Sequence, residues 1–124
     1  MTHPQPPARQ LDLLLPDNRP DREVLEPGAL LLRQFATSSA TIYLQALQAV
    51  AAQAPFRHMH TPGGGTMSAA MTSCGALGWV SSAQGYAYTP VDPLSQQPWP
   101  AMPASLFALA RNAAQTAGYP GFTP

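Results

Sequence analysis

Apolar residues recur at spacings of three and four along two stretches of the chain, which is the period of an amphipathic helix. The first stretch follows three hydroxyl residues, 37–39, that are suited to cap a helix, and it ends before Pro55. The second begins after Pro103 and stops at Gly118. The pattern therefore predicts two helices, with apolar stripes of Tyr43, Ala46, Leu47, Val50 and Ala54 in one and Leu106, Leu109, Ala110, Ala113 and Ala117 in the other.

The chain before the first helix divides into a tail and a strand. Residues 1–26 are predicted to be a flexible N-terminal segment, and residues 27–124 one domain. The leucine run at residues 11–15 is predicted to dock on a neighbouring element. A turn at residues 25–28 leads into ALLLRQF, residues 29–35, and this apolar run predicts a mostly buried strand.

Two hairpins are predicted between the helices. Residues 56–60 and 66–72 indicate two strands, joined by a loop at residues 61–65 in which three consecutive glycines permit a tight turn. A second hairpin carries Trp79 into residues 86–89. Helices and antiparallel hairpins together predict an α+β fold.

Composition narrows the class of protein. All six basic residues are arginine, and the six acids bring the formal net charge to zero, so no general phosphate-binding field is predicted. The single cysteine, Cys74, excludes an internal disulfide framework and fits a reducing cytoplasm. No signal peptide is evident, and no apolar run approaches the roughly 20 residues that span a bilayer. The sequence predicts a soluble, cytoplasmic protein with no membrane partner.

Residue types that usually carry catalysis give little signal here. His58 and His60 alternate on an extended segment and could share a metal ion, but no carboxylate or cysteine lies nearby in sequence, which favours a structural or surface role. Cys74 has no defined basic partner and is predicted to be a buried, inert thiol. The glycine loop, residues 61–65, lacks the lysine and hydroxyl pair of a phosphate loop. No catalytic or metal-binding residue is predicted.

Residues 61–103 concentrate aromatic and methionine side chains around one charged residue, Asp92. Flat aromatic faces and soft methionines are what proteins use to hold an unstacked base. Composition alone favours the alternative that these residues form the core of a small sheet. The residues in question are Met67, Met71, Trp79, Tyr86 and Tyr88.

Within this segment, the runs TPGGGTMSAAMTSCGALGW, QGYAY and DPLSQQPWPAMP resemble the AlkB family of iron(II)- and 2-oxoglutarate-dependent dioxygenases, which remove alkyl lesions from nucleic-acid bases. The resemblance extends more loosely back to about Pro27 and forward to the end of the chain. It implies the N-terminal part of a double-stranded β-helix (jelly-roll) enzyme. Its helices would buttress the barrel, and its hairpins, at about residues 61–103, would form a nucleotide-recognition lid.

The resemblance also implies a role for individual residues. Trp79 matches the tryptophan that stacks on the damaged base, and Tyr86 the tyrosine that contacts a backbone phosphate. Ala87 and Tyr88 complete that binding segment, and Thr61 matches another phosphate-contacting position. Met67 and Met71 match apolar lid residues beside the base. The chain departs from the pattern at Gly65, Ala76 and Ala83, where the family has an aromatic and two larger polar residues.

The implied partner is alkylated single-stranded DNA, with double-stranded DNA and RNA as further substrate classes, and family members are typically monomeric. The family's H-x-D motif, its second histidine and its 2-oxoglutarate ligands match no position of this chain. We therefore expect the chain to bind neither iron(II) nor 2-oxoglutarate, which are the cofactors of the full-length family. Two alternatives remain at this point, a stand-alone single-stranded nucleic-acid binder and a structural module without catalysis.

A first prediction follows from those unmatched ligands. The purified chain, supplied with iron(II) and 2-oxoglutarate, should release no formaldehyde from methylated single-stranded DNA. Formaldehyde release above the level of a protein-free control would contradict it.

Overall fold

The structure, a computed structural model, describes residues 18–124. Most of the predicted flexible segment and the leucine run at residues 11–15 lie outside these residues. The chain divides into two compact units, one ending at Arg33 and the other comprising residues 34–124. The two units are described separately below.

The first unit contains one antiparallel hairpin. Strand β1, Arg22–Glu26, pairs with β2, Ala29–Leu32, through a turn in which Gly28 has a φ of +82°. Arg33 closes the hairpin, because its backbone N–H donates to the Asp21 carbonyl at 2.7 Å. Its guanidinium also donates to the Glu23 carboxylate. The turn predicted at residues 25–28 is therefore confirmed.

Two expectations for this region need correction. The predicted flexible segment, residues 1–26, includes β1, so its last five residues form a strand because they pair with β2. The predicted strand at residues 29–35 ends at Leu32, since the chain turns at residues 33–36, where Gln34 has a φ of +58°. The strand is also less buried than predicted. Leu31 is 38% exposed, because a two-stranded hairpin has no second layer of its own.

The second unit begins with a short 3-10 turn, Thr37–Ser39, that continues into helix α1, Ala40–Gln53. The predicted cap is absent, because Ser39 occupies the N-cap position without a side-chain hydrogen bond. The end is as predicted, with Ala54 as the C-cap before Pro55. Helix α2, Ala104–Thr116, packs against α1 and ends at Ala117 and Gly118, whose φ is +97°.

Two further antiparallel hairpins lie between the helices. Strands β3, Arg57–His60, and β4, Thr66–Met71, form the first, with a register irregularity between His58 and His60. Strands β5, Gly78–Ser82, and β6, Gly85–Thr89, form the second in regular register. The Ser81 hydroxyl joins the two hairpins by donating to the His60 carbonyl at 2.6 Å. The described residues thus contain two α-helices and antiparallel hairpins, which confirms the α+β prediction.

A polar and aromatic cluster anchors the second hairpin. Trp99 is 5% exposed, and its indole N–H donates to the Thr89 carbonyl at 2.9 Å. The Arg57 guanidinium lies over the indole, 5.2 Å from the ring centroid, and donates two hydrogen bonds of 2.5 and 2.7 Å to the Asp92 carboxylate. Asp92 is 1% exposed and also accepts the Leu94 amide at 2.8 Å. Every oxygen of this buried carboxylate therefore has a donor.

This cluster orders the loop at residues 91–103 through Trp99 and not through Met102. Met102 is 37% exposed, whereas Trp99 and Pro100 are buried. The Pro100 carbonyl accepts the Gly75 amide at 2.8 Å, which ties the loop to the chain before β5. A single large indole therefore supplies the main apolar contact of this loop.

Gly78 should be intolerant of a side chain. A Cβ atom there would lie 2.3 Å from Cε2 of the Trp99 indole, and the buried ring has no space to retreat. We expect Gly78→Ala to lower the free energy of unfolding by about 2 to 3 kcal/mol, as overpacked cores do. Urea unfolding followed by circular dichroism would measure it. Gly121→Ala is the matched control, because a Cβ there meets nothing within 4 Å. Equal stability of the two variants would contradict the contact.

Asp92 should make stability depend on acid. The hydrogen bonds from Arg57 hold the pKa of Asp92 below its ordinary value. A lowered folded-state pKa stabilises the protein above the unfolded carboxylate pKa of about 4, and this contribution is lost as pH falls through the folded pKa. Asp92→Asn should therefore be less stable at pH 7, by roughly 3 kcal/mol, and should lose less further stability below pH ~4. Unfolding curves of the wild type and of Asp92→Asn, measured from pH 7 to pH 2, test this. Glu26→Gln is the control, because it removes a carboxylate that is exposed.

Candidate nucleic-acid interface

The second hairpin, Gly78–Ser82 with Gly85–Thr89, carries the predicted aromatic residues and is called the aromatic hairpin below. Its register pairs Trp79 with Tyr88 and Ser81 with Tyr86. Because paired residues and residues two apart share a face, Trp79, Tyr86 and Tyr88 lie on the same side. The rings of Trp79 and Tyr86 are 5.3 Å apart at 35°, within the range of favourable aromatic pairs. Ala87 pairs with Val80 and lies on the opposite face.

The tyrosines of this face are not core residues. Tyr86 is 68% exposed and Tyr88 is 71% exposed, while Trp79 is half-buried. The buried apolar side chains of the described chain are elsewhere, at Val50, Ala54, Met59 and Trp99. The interpretation of these aromatics as the core of a small sheet is therefore wrong for the two tyrosines.

The remaining predicted site residues lie on the first hairpin. Met67 and Met71 are both half-buried on β4, and the two-residue period puts them on one face. Thr61 directly follows β3 at the start of the glycine loop. Its hydroxyl oxygen accepts the Gly65 amide at 3.0 Å, and its backbone N–H donates to the Gly65 carbonyl at 2.8 Å. The loop is thus a closed turn and presents Thr61 in one orientation.

A groove of about 330 Å³ separates the two hairpins. One wall is β3, including His60, the residue before Thr61, and the other is β5, including Val80, the residue after Trp79. Thr61 and Trp79 are sequence neighbours of these lining residues and do not themselves line the groove. Met59 also lines the groove, and its sulfur accepts a hydrogen bond from the Ser81 amide at 3.3 Å.

The two histidines are exposed, and Cys74 is less buried than the sequence predicts. His58 and His60 are exposed, and Nδ1 of His58 lies 3.0 Å from the Met67 carbonyl oxygen. Across residues 18–124, no three His, Cys, Asp or Glu side chains are grouped so that they could hold a metal ion. Cys74 is half-buried, and burial raises the pKa of its thiol, which disfavours the reactive thiolate. No helix of the described residues is long and apolar enough to cross a membrane.

Sequence reasoning missed the partner of Arg57. The Arg57–Asp92 pair joins residues that are 35 positions apart in sequence. Its guanidinium packs against the Trp99 indole, which in turn packs against Gly78 of the aromatic hairpin. The available signal was the isolation of Asp92, the one carboxylate after residue 26. A lone charge in an apolar segment requires a partner, and Arg57 is one of three arginines after that residue.

Comparisons with known proteins assign the chain to a family. A family model for the 2OG-Fe(II) oxygenase superfamily matches residues 28–124. The chain is 51% identical over 111 residues to the alpha-ketoglutarate-dependent dioxygenase AlkB of Escherichia coli, and equally so to that of Salmonella typhimurium. Each match covers 90% of this chain and 51% of the relative. An AlkB homolog from Caulobacter vibrioides is 44% identical over 72 residues, which is 58% of this chain and 33% of the homolog.

The chain belongs to the 2OG-Fe(II) oxygenase superfamily and, within it, to the AlkB family. The family predicted from residues 61–103 is therefore confirmed, together with its dependence on iron(II) and 2-oxoglutarate. The chain spans about half the length of the AlkB proteins of E. coli and S. typhimurium.

The exposed face makes a clear prediction about stability. Tyr88→Ala should change the free energy of unfolding by no more than about 0.5 kcal/mol, because the side chain is 71% exposed. Trp99→Ala should lose about 3 to 5 kcal/mol, since it empties a buried site. Chemical unfolding of both variants gives the comparison. A large loss for Tyr88→Ala would restore the core interpretation of the aromatic face.

Proposed function

We propose that residues 61–103 form the nucleotide-recognition lid of an AlkB-type dioxygenase that removes alkyl groups from nucleic-acid bases. In this proposal the chain is the N-terminal part of a jelly-roll enzyme, and its substrate is alkylated single-stranded DNA, with double-stranded DNA or RNA as further classes. The observation that carries the proposal is the exposed aromatic face. The ring centroids of Trp79 and Tyr86 are 5.3 Å apart, and the side chains of Tyr86 and Tyr88 are mostly exposed to solvent.

A base held by this face would stack on Trp79. The indole is half-buried and tilted at 35° to Tyr86, so its orientation is constrained before a ligand arrives. N-alkylation of a ring nitrogen makes many bases cationic, and a cation is attracted to the electron-rich face of an indole. The face would therefore favour an alkylated base over the same base unmodified.

Phosphate contacts would come from neutral donors. The Tyr86 side chain is 68% exposed, and the Thr61 hydroxyl is held in a closed turn that directly follows β3. Within residues 34–124 the arginines are Arg57 and Arg111, and Arg57 is engaged by Asp92. Binding would thus depend on stacking and hydroxyl hydrogen bonds more than on ion pairs.

The oxidation is the chemistry of the family's iron(II) and 2-oxoglutarate. Residues 18–124 bring no three candidate ligands together, so no step through the metal is assigned to them. Their part is to hold and orient the base. In the whole enzyme the hydroxylated alkyl group would then leave as formaldehyde.

The proposal predicts a preference that depends on one side chain. A short fluorescein-labelled single strand containing one 1-methyladenine should bind the chain more tightly than the same strand containing adenine. Trp79→Ala should weaken binding of the methylated strand by roughly five- to 150-fold, since a stacked base contributes roughly 1–3 kcal/mol. Trp79→Phe should retain part of the preference. Fluorescence anisotropy measures all three.

Tyr119→Ala is the matched control, because Tyr119 is also an exposed aromatic, 53% exposed, but lies outside residues 61–103. It should bind both strands as the wild type does. If Trp79→Ala binds the methylated strand unchanged, residues 61–103 are not a base-binding lid.

The charge distribution predicts a weak salt dependence. With one arginine beyond the Arg57–Asp92 pair in residues 34–124, the slope of log K against log salt should be about −0.7 for a single strand. The slope is measured by determining the affinity for the single strand at salt concentrations between roughly 50 and 200 mM. A slope steeper than about −3 would indicate several ion pairs and favour a stand-alone single-strand binder.

A further inference from the structure

The groove between the two hairpins has the lining of a small-molecule site. Its volume of about 330 Å³ is at the lower end of the roughly 300–1,000 Å³ that such sites occupy, so it suits one flat ring system. Its polar lining residues are His58, His60 and Ser82. Its apolar lining comes from three separate segments of the chain, with Met59 in the first, Val80 in the second, and Pro93 and Leu94 in the third.

Two hydrogen bonds join the walls of the groove. The Ser81 hydroxyl donates to the His60 carbonyl at 2.6 Å, and the Ser81 amide donates to the Met59 sulfur at 3.3 Å. Ser81 and Met59 are each 7% exposed, so water has little access to either bond. A groove whose walls are fixed before a ligand arrives loses less conformational entropy when it binds.

The electrostatics of the groove favour a neutral ligand. Arg57 is among the lining residues, but its guanidinium donates two hydrogen bonds to the buried Asp92 carboxylate. The Arg57 side chain is only 13% exposed, and its charge is balanced by that carboxylate. A phosphate would therefore gain little from this arginine, whereas an uncharged heterocycle needs no ion pair.

The groove adjoins the proposed contacts for the nucleic-acid strand. His60 precedes Thr61, and Val80 follows Trp79, and the Cα atoms of consecutive residues are about 3.8 Å apart. Successive nucleotides of a stacked strand are about 3.4 Å apart along its axis. The nucleotide next to one held by Thr61 and Trp79 is therefore within reach of the groove.

We propose that this groove is a second base subsite, which takes the unmodified base of a nucleotide next to the alkylated one. The inference rests on the proposed function and deepens it. The flat base would pack against the apolar side chains of Val80 and Leu94, and the polar lining residues would meet its edges. A lining held together by burial and stacking accepts any base, so the subsite adds affinity without a strict sequence preference.

A missing base tests the subsite directly. Single strands with one 1-methyladenine would carry one abasic tetrahydrofuran residue, placed in turn at each neighbouring position. Wild-type binding, measured by fluorescence anisotropy, should weaken by about fivefold or more at one of these positions, which is the lower end of the range for one stacked base. A uniform affinity at all neighbouring positions would contradict the subsite.

A cycle of substitutions assigns that loss to the groove. Leu94→Ala removes part of one wall and should weaken binding of the intact strand by about fivefold. The penalty of the abasic residue should then fall to about twofold or less, because strand and protein lose the same contact. Leu44→Ala is the matched control, since both leucines are 60% exposed but Leu44 does not line the groove. It should keep the full abasic penalty.

Two further readouts separate the subsite from folding and from the lid. Both leucine variants should unfold at the urea midpoint of the wild type, because neither side chain is buried. Equal abasic penalties in the wild type and Leu94→Ala would contradict the subsite. If Trp79→Ala weakens binding but no abasic position does, the subsite fails and the proposed lid stands. If Trp79→Ala has no effect, the proposed lid itself fails.

Discussion

The ion pair between Arg57 and Asp92 is the interaction on which the rest of residues 34–124 depends. Asp92 is 1% exposed, and both of its oxygens accept from the Arg57 guanidinium, so removing either partner would leave a buried charge. The guanidinium of the pair packs on the face of the Trp99 indole, 5.2 Å from the ring centroid. Trp99 in turn packs against Gly78, and its indole N–H donates to the Thr89 carbonyl. Gly78 and Thr89 are the paired residues at the base of the aromatic hairpin.

This anchor explains how an aromatic surface can stay exposed in so small a unit. One indole fills the space at the base of the hairpin, so the remaining aromatics of the hairpin are not needed as core. The rings of Trp79 and Tyr86 instead pack against each other, with centroids 5.3 Å apart, on a face that is open to solvent. The buried Trp99 and the half-buried Trp79 thus belong to the same segment, and they differ in burial because only Trp99 packs against the ion pair.

Local features of the sequence predicted most of the elements and missed several of their ends. Pro55 and Gly118 mark where the helices stop, and the glycine loop marks the first hairpin, because proline and glycine act through their own backbone geometry. The expected caps at residues 37–39 failed, since a 3-10 turn placed those hydroxyls differently. The strand at residues 29–35 was overextended, because leucine content does not reveal where a chain turns.

By itself the sequence determined the α+β elements, the AlkB family and the alternation that puts Trp79, Tyr86 and Tyr88 on one face. These follow from short-range periodicity and from runs of residues that are contiguous in the chain. Only the tertiary structure decided which aromatics are buried, which carboxylate neutralises Arg57, and which side chain excludes a Cβ at Gly78. Each of these depends on atoms that meet across the fold or across a loop, and a one-dimensional pattern records spacing but not contact.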